Sequence, residues 1–323
     1  MVDEEQFRLI TGFNDIFVVI AIALAFVALG QLGGRTGALL IAAGAWALAQ
    51  FFTRRRRMAL PSIVLVDAFV AGLFAGTMAL LDPSVGHQAG ALREEVAVLI
   101  AAAVATGGAV AHWLRFRVPI TMAVITAAGT VAALAAILAA LDPAPDTLGR
   151  VLPWIVLAAG LAIFAFAMRW DLSDPERQTR RADVAFWLHL LAAPLIAHPI
   201  FLSLGLVGAG LFGGLGSDGF VEPSAWSAVA AVALYLVFGL IAVMVDRRAL
   251  LVSGLAYVLY AFYQLVQTSV SVELGFALSA LVISSALLLL SAFWSNVRAV
   301  VLEALPGDLR VRLPHSAILS QAA

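Results

Sequence analysis

The chain has 323 residues, 63% of them hydrophobic and only 12% charged, and it contains no cysteine. A soluble domain carries about 45–50% apolar and about 25% charged residues, so this composition, with a mean hydropathy of +1.02, excludes a water-soluble globule and predicts an integral membrane protein. Without cysteine there is no disulfide scaffold, no cysteine-held zinc or iron–sulfur centre and no thiol nucleophile; with 19 basic against 20 acidic side chains there is no positive excess to bind nucleic acid.

About 20 apolar residues cross about 30 Å of hydrocarbon. The sequence predicts ten such spans: Ile16–Leu32, Ala38–Phe52, Met58–Leu81, Val96–Trp113, Val118–Leu141, Val151–Met168, Val184–Phe212, Ala225–Val245, Ala249–Ser271 and Leu274–Trp294. Strand-like alternation is absent, so the fold class is all-α, with every backbone polar group satisfied inside a helix. The first run follows the acidic Met1-Val2-Asp3-Glu4-Glu5 and lacks a small-residue cleavage site, so it is expected to be a span and not a removable signal.

All 19 basic residues are arginine. Codon bias in a GC-rich bacterial genome accounts for this, with arginine-specific chemistry at every site as the alternative, and the expected location is a bacterial inner membrane. With the N-terminus inside, 16 of the 19 fall on the cytoplasmic side and only Arg35, Arg93 and Arg150 outside. The positive-inside rule therefore predicts both termini in the cytoplasm. Those three outer arginines recur at intervals of 58 and 57 residues, and Pro61, Pro119 and Pro175 at 58 and 56. Tandem helical hairpins over residues 16–175 and simple equality of loop lengths both account for the period. It ends at the polar stretch Asp171–Arg181, which predicts a six-helix subdomain over 1–181 and a four-helix subdomain over 182–323 with a short cytoplasmic tail.

An ionisable group in hydrocarbon is costly unless paired, so the few present are the candidates for function. Asp67, nine residues into the third span and about 13 Å deep at about 1.5 Å per residue, is a candidate proton or cation site. His112, beside Trp113 and Arg115, reads as an interfacial anchor. The seventh span is too long to cross upright, about 43 Å of helix, and holds Pro194 and Pro199, so it is expected to kink, to break or to begin as an interfacial stretch. His189 and His198 flank that break as candidate relay or substrate groups; nine residues apart, they lie half a turn out of phase. Beyond them Gly205, Gly208, Gly210, Gly213 and Gly214 form a small-residue surface suited to a membrane-protein partner. In the ninth span Ser253, Tyr257, Tyr260, Gln264, Gln267 and Ser271 follow steps of 4, 3, 4, 3 and 4 and share one helix face. Such a stripe lines a wet cavity for a polar solute or cation, or forms an interhelical hydrogen-bond seam.

No phosphate loop, zinc-binding His-Glu-x-x-His or nucleophile elbow is present, and no cofactor is expected. The run Arg181-Ala-Asp-Val-Ala-Phe-Trp-Leu-His189 with His198-Pro199 resembles segments of bacterial multi-pass inner-membrane proteins, which implies a location and no activity. The ten-span layout with both termini inside is similar to that of the drug/metabolite transporter superfamily; the resemblance is one of topology and implies a carrier. The expected function is thus a secondary transporter of a small polar or ionic solute, surrounded by lipid. The site would use Asp67, His189, His198, Tyr257, Tyr260, Gln264 and Gln267. A non-enzymatic assembly factor, or a subunit of a larger envelope complex, is the alternative. An intramembrane metal or haem enzyme at His189 and His198 is a third reading.

Overall fold

The structure, a computed structural model, describes residues 13–81, 93–174, 179–203, 225–246 and 272–304, with the single positions 251, 255 and 259. All regular structure in these residues is helical, and no strand occurs among them. Among the described residues, six stretches are long and apolar enough to cross a membrane, or seven if one bent pair of helices counts as a single span. Residues 204–212 of the seventh predicted span and most of the ninth lie outside the described residues. Contacts divide the chain into Met1–Pro145 and Asp146–Ala323. Polarity alone puts a boundary between residues 181 and 182, whereas contacts group the sixth span with the helices that follow it.

The first unit contains α1 (Phe13–Gly33), α2 (Gly37–Ala49), a π-helical turn at Gln50–Arg55, α3 (Ala59–Leu81), α4 (Glu94–Phe116) and α5 (Ile120–Leu141). Each helix packs on the next in sequence. Small residues make this possible. The chain reverses at Gly34, whose φ of +51° suits glycine, and α2 then returns against α1 so closely that a Cβ on Gly37 would lie 2.7 Å from the Gly30 carbonyl oxygen. A Cβ on Gly72 would meet the Ala38 carbonyl oxygen at 2.7 Å, so α3 rides directly on the α2 backbone. On α4 the buried line Ala97, Ala101, Ala105, Ala109 and His112 faces the bundle. Lipid offers no hydrophobic drive for helix association, so close backbone approach of this kind supplies van der Waals contact instead.

Two turns of this unit are alike. Arg57 and Arg117 both adopt the left-handed conformation, with φ of 53° and 56°. Each is followed by a buried apolar residue, Met58 or Val118, and a proline-containing segment. The Arg117 amide donates to the Trp113 carbonyl at 3.0 Å, closing the end of α4. Where α5 ends, Asp142 also turns left-handed, and Arg93 reaches across from the start of α4 to pair with its carboxylate at 2.8 Å.

The second unit contains α6 (Pro145–Leu172), α7 (Arg180–Ser203), α8 (Ala225–Val245), α9 (Val272–Ala292) and α10 (Trp294–Glu303). Of the kink or break expected at Pro194 and Pro199, the break does not occur: α7 is one helix through both prolines to Ser203. Each proline removes one helix hydrogen bond, but α7 is held along its length by buried residues from Ala182 to Phe201. Packing against neighbours maintains such helices in membranes. At Gly160 a Cβ would sit 2.9 Å from the Leu195 carbonyl carbon, so α6 and α7 meet backbone to backbone. A bend of 76° at Phe293 separates α9 from α10. Trp294, just past that bend, packs with Ala193, Ala242, Val243 and Leu251 in the core of this unit.

Candidate functional site

Two helix ends and one helix middle place the polar groups buried in the second unit. Asp171 occupies the last turn of α6, and His189 lies nine residues into α7. The Asp171 Oδ2 atom is 3.5 Å from His189 Nε2, and both side chains are 0% exposed. The link between the two helices is held by Asp174, whose Oδ2 accepts from the Thr179 amide at 2.9 Å and from its hydroxyl at 2.6 Å. Thr179 in turn caps α7 by accepting from the Arg181 amide at 3.2 Å. The Phe164 ring packs edge-to-face with the His189 ring at a centroid distance of 5.1 Å. Phe164 also forms a wall of an apolar cavity, with Leu161, Ala193, Ile196, Phe238 and Ile241. Ala193 stands one helical turn beyond His189 on the same face of α7.

Chemically, an acid and an imidazole in this geometry form a two-state group. With the proton on the imidazole the pair is neutral overall; without it the pair carries a negative charge away from water, which is expensive in a low-dielectric interior. A change of one proton therefore changes the electrostatics of the α6–α7 contact.

A second buried polar set lies at the end of α8. Asp246, in the left-handed conformation with φ of 60°, accepts through Oδ1 from Trp294 Nε1 at 2.7 Å. Arg298 Nε lies 3.8 Å from the same oxygen, and both charged side chains are buried. This set fastens α10 across α8, and its role is to fix that bend.

The described residues of the predicted site fall in both units. Asp67 belongs to the first unit and is exposed on α3, in line with exposed Ala71 and Ala75, while Leu65, Val66, Phe69 and Val70 fill the bundle side. His189 is fully buried and His198 half-buried, both on α7. Tyr257, Tyr260, Gln264 and Gln267 lie outside the described residues. Among the described residues, no group of three or more histidine, aspartate and glutamate side chains is arranged to hold a metal ion.

His112 corrects its sequence reading. It is not an interfacial anchor but is completely buried, with Nδ1 3.3 Å from the Thr121 hydroxyl. Trp46, Phe69 and Phe116 surround it at centroid distances of 6.1, 5.9 and 4.5 Å. The helical phase of α4 turns it inward, in register with Ala109, while Trp113 and Arg115 point elsewhere. Sequence reasoning also missed Asp171 and Asp246: the first fell in the polar linker and the second just beyond the span predicted to end at Val245. A usable signal existed for Asp171: it stands three residues past the end of the sixth apolar run, within one helical turn, and a hairpin between runs six and seven brings it towards His189.

The chain matches no family model, no curated protein and no solved structure. Fold and composition together define its class, an all-helical, multi-pass integral membrane protein in contact with lipid.

Proposed function

We propose that the chain is a proton-coupled secondary transporter of a small polar or ionic solute. In this reading it crosses a bacterial inner membrane ten times with both termini in the cytoplasm. The observation that carries the proposal is the sealed Asp171–His189 pair on adjoining helices of one unit. Intramembrane acid and imidazole groups are characteristic of proton relays, and this pair adjoins a helix with two prolines that packs on a cavity. Gaining or losing its proton changes how tightly α6 holds α7, which is the kind of bistable contact that alternating access uses. The solute path is assigned to the polar stripe that the sequence predicts over residues 253–271, nearly all of which lie outside the described residues.

The test is uptake into proteoliposomes under an imposed inward proton gradient, using labelled amino acids, organic cations and inorganic phosphate as probes. At least one probe accumulates above protein-free vesicles, and Asp171→Asn and His189→Gln abolish its gradient-driven accumulation. No accumulation of any probe, or accumulation unchanged in both variants, removes this reading.

A second reading, a non-enzymatic assembly factor or subunit of a larger envelope complex, rests on Asp67. A carboxylate exposed at mid-span is poorly suited to lipid and well suited to a polar group on another membrane protein. Purification in mild detergent tests it: a lone monodisperse species with nothing co-purifying counts against it, and a stoichiometric partner lost with Asp67→Leu supports it.

A further inference from the structure

The end of α2 carries a feature that the transport reading does not use. Past Ala49 the helix widens into the π-helical turn Gln50–Arg55, and the run Arg54 to Arg57 begins in its last turn and ends at the left-handed Arg57. A cleft of about 450 Å3 opens here, lined by Ala47, Gln50, Phe51, Arg54 and Arg55. From the end of α4, Arg115 donates to the Gln50 side-chain oxygen at 3.0 Å, which joins a second helix terminus to the rim. Arg56 lies over the Phe51 ring and Arg117 over the Trp113 ring, each 5.5 Å from the centroid.

Six arginines thus gather at one end of the first unit, and none of them is within ion-pair distance of a carboxylate among the described residues. The contrast within the same unit is Arg93, neutralised by Asp142 at 2.8 Å. Both helix C-termini here also present the negative end of their dipoles, which favours arginine at these positions but leaves most of the positive charge directed outward. Guanidinium groups are planar forks that match a phosphate bidentately. A cleft offering Arg54 and Arg55, with an amide side chain between them and Arg115, is chemically a phosphate receptor.

The cleft stands at the limit of apolar helix, with Phe51 exposed on its wall and Leu114 and Val110 exposed down the side of α4. A phosphate arriving in this position can bring acyl chains that lie along those side chains. We propose that the cleft binds the phosphate group of an anionic phospholipid, with Arg54 and Arg55 on the phosphate oxygens, Arg115 at the rim and the acyl chains along α4. Basic clusters between spans are suited to this role.

The experiment uses the purified full chain, delipidated in detergent, titrated with phosphatidylglycerol, with phosphatidylcholine and with inorganic phosphate; lipid retention is followed by native mass spectrometry and thermal stability in parallel. The expected result is retention and a raised unfolding temperature with phosphatidylglycerol alone. Arg54→Gln/Arg55→Gln should weaken that retention tenfold or more, while Arg93→Gln, which lies outside the cleft, leaves it intact. Since arginines at span ends also govern insertion, Gln50→Glu provides an independent variant: it keeps every arginine, pairs with Arg115 and repels phosphate, and it should produce a comparable loss. Equal retention of phosphatidylcholine, undiminished retention in both cleft variants, or an equal response to inorganic phosphate overturns the proposal.

Discussion

Asp171 and His189, 18 residues apart in the chain, face each other at 3.5 Å with no exposed surface on either side chain. Neither side chain is tolerable alone in such a place. A buried polar group left without its partner costs about 1–3 kcal/mol, and more if charged. Asp171→Leu and His189→Leu are each expected to lower stability by about that amount. The double variant should be less destabilised than the sum of the two, since it removes both halves of the pair. Denaturation in mixed micelles, read as a double-mutant cycle, gives the coupling directly.

The backbone meeting of α6 and α7 is equally open to test. Gly160→Ala places a methyl 2.9 Å from the Leu195 carbonyl carbon, and overpacking of this kind costs about 1–3 kcal/mol. Gly107→Ala is the control, because a Cβ there meets nothing within 4 Å, and alanine is the better helix former by about 1 kcal/mol. Gly160→Ala is expected to lower the unfolding temperature and Gly107→Ala to leave it unchanged or raise it.

His112 separates the value of volume from that of polarity. Its Nε2 atom is buried and lacks a hydrogen-bond partner. Within the surrounding rings, His112→Phe keeps a planar aromatic ring, somewhat larger than imidazole, and removes that unsatisfied atom, at the loss of the 3.3 Å contact with Thr121. The expected change is within about 1 kcal/mol. His112→Ala opens a cavity instead and should cost about 2–4 kcal/mol. Thermal unfolding of the two variants, side by side, decides whether this histidine is held for its shape.

The corner between α8 and α10 depends on one carboxylate oxygen that receives Trp294 and faces Arg298. Asp246→Asn retains an acceptor for the indole while removing the negative charge; Asp246→Leu removes both. The leucine variant should be the less stable by about 0.5–1.5 kcal/mol, the net contribution of one hydrogen bond. Its Trp294 should also become quenchable by aqueous acrylamide as α10 loosens, with the asparagine variant remaining shielded.

Much of the helical layout is legible along the chain. The predicted run Ala225–Val245 coincides with α8, Val118–Leu141 differs from α5 by two residues at one end, and Leu274–Trp294 is displaced from α9 by two residues at both ends. Apolar length is a local property, and hydrocarbon leaves helix as the simplest way to satisfy the backbone. The candidate site was only half legible. His189 stood out because imidazole is rare in a span, but Asp171 was absorbed into the polar stretch that follows it, because residue type alone does not say on which side of a helix end a carboxylate is sealed. The prolines of α7 misled in the opposite direction: the local cost of each is readable, whereas the packing that offsets it is not. Asp67 was singled out for its depth, yet its direction, away from the bundle side of α3, depends on which face of that helix the neighbouring glycines and alanines occupy.

The sequence by itself determined that this is a membrane protein made of helices and where most of those helices run, because hydropathy and span length are summed along the chain. Only the tertiary structure decided which of its few polar side chains meet. Asp171 finds His189, Asp246 finds Trp294 and Arg298, His112 is enclosed by rings, and Asp67 is left facing outward. Those outcomes depend on helix phase and on how closely helices approach at Gly72 and Gly160. Such meetings join residues far apart in the chain, and no property of either residue's own segment contains them.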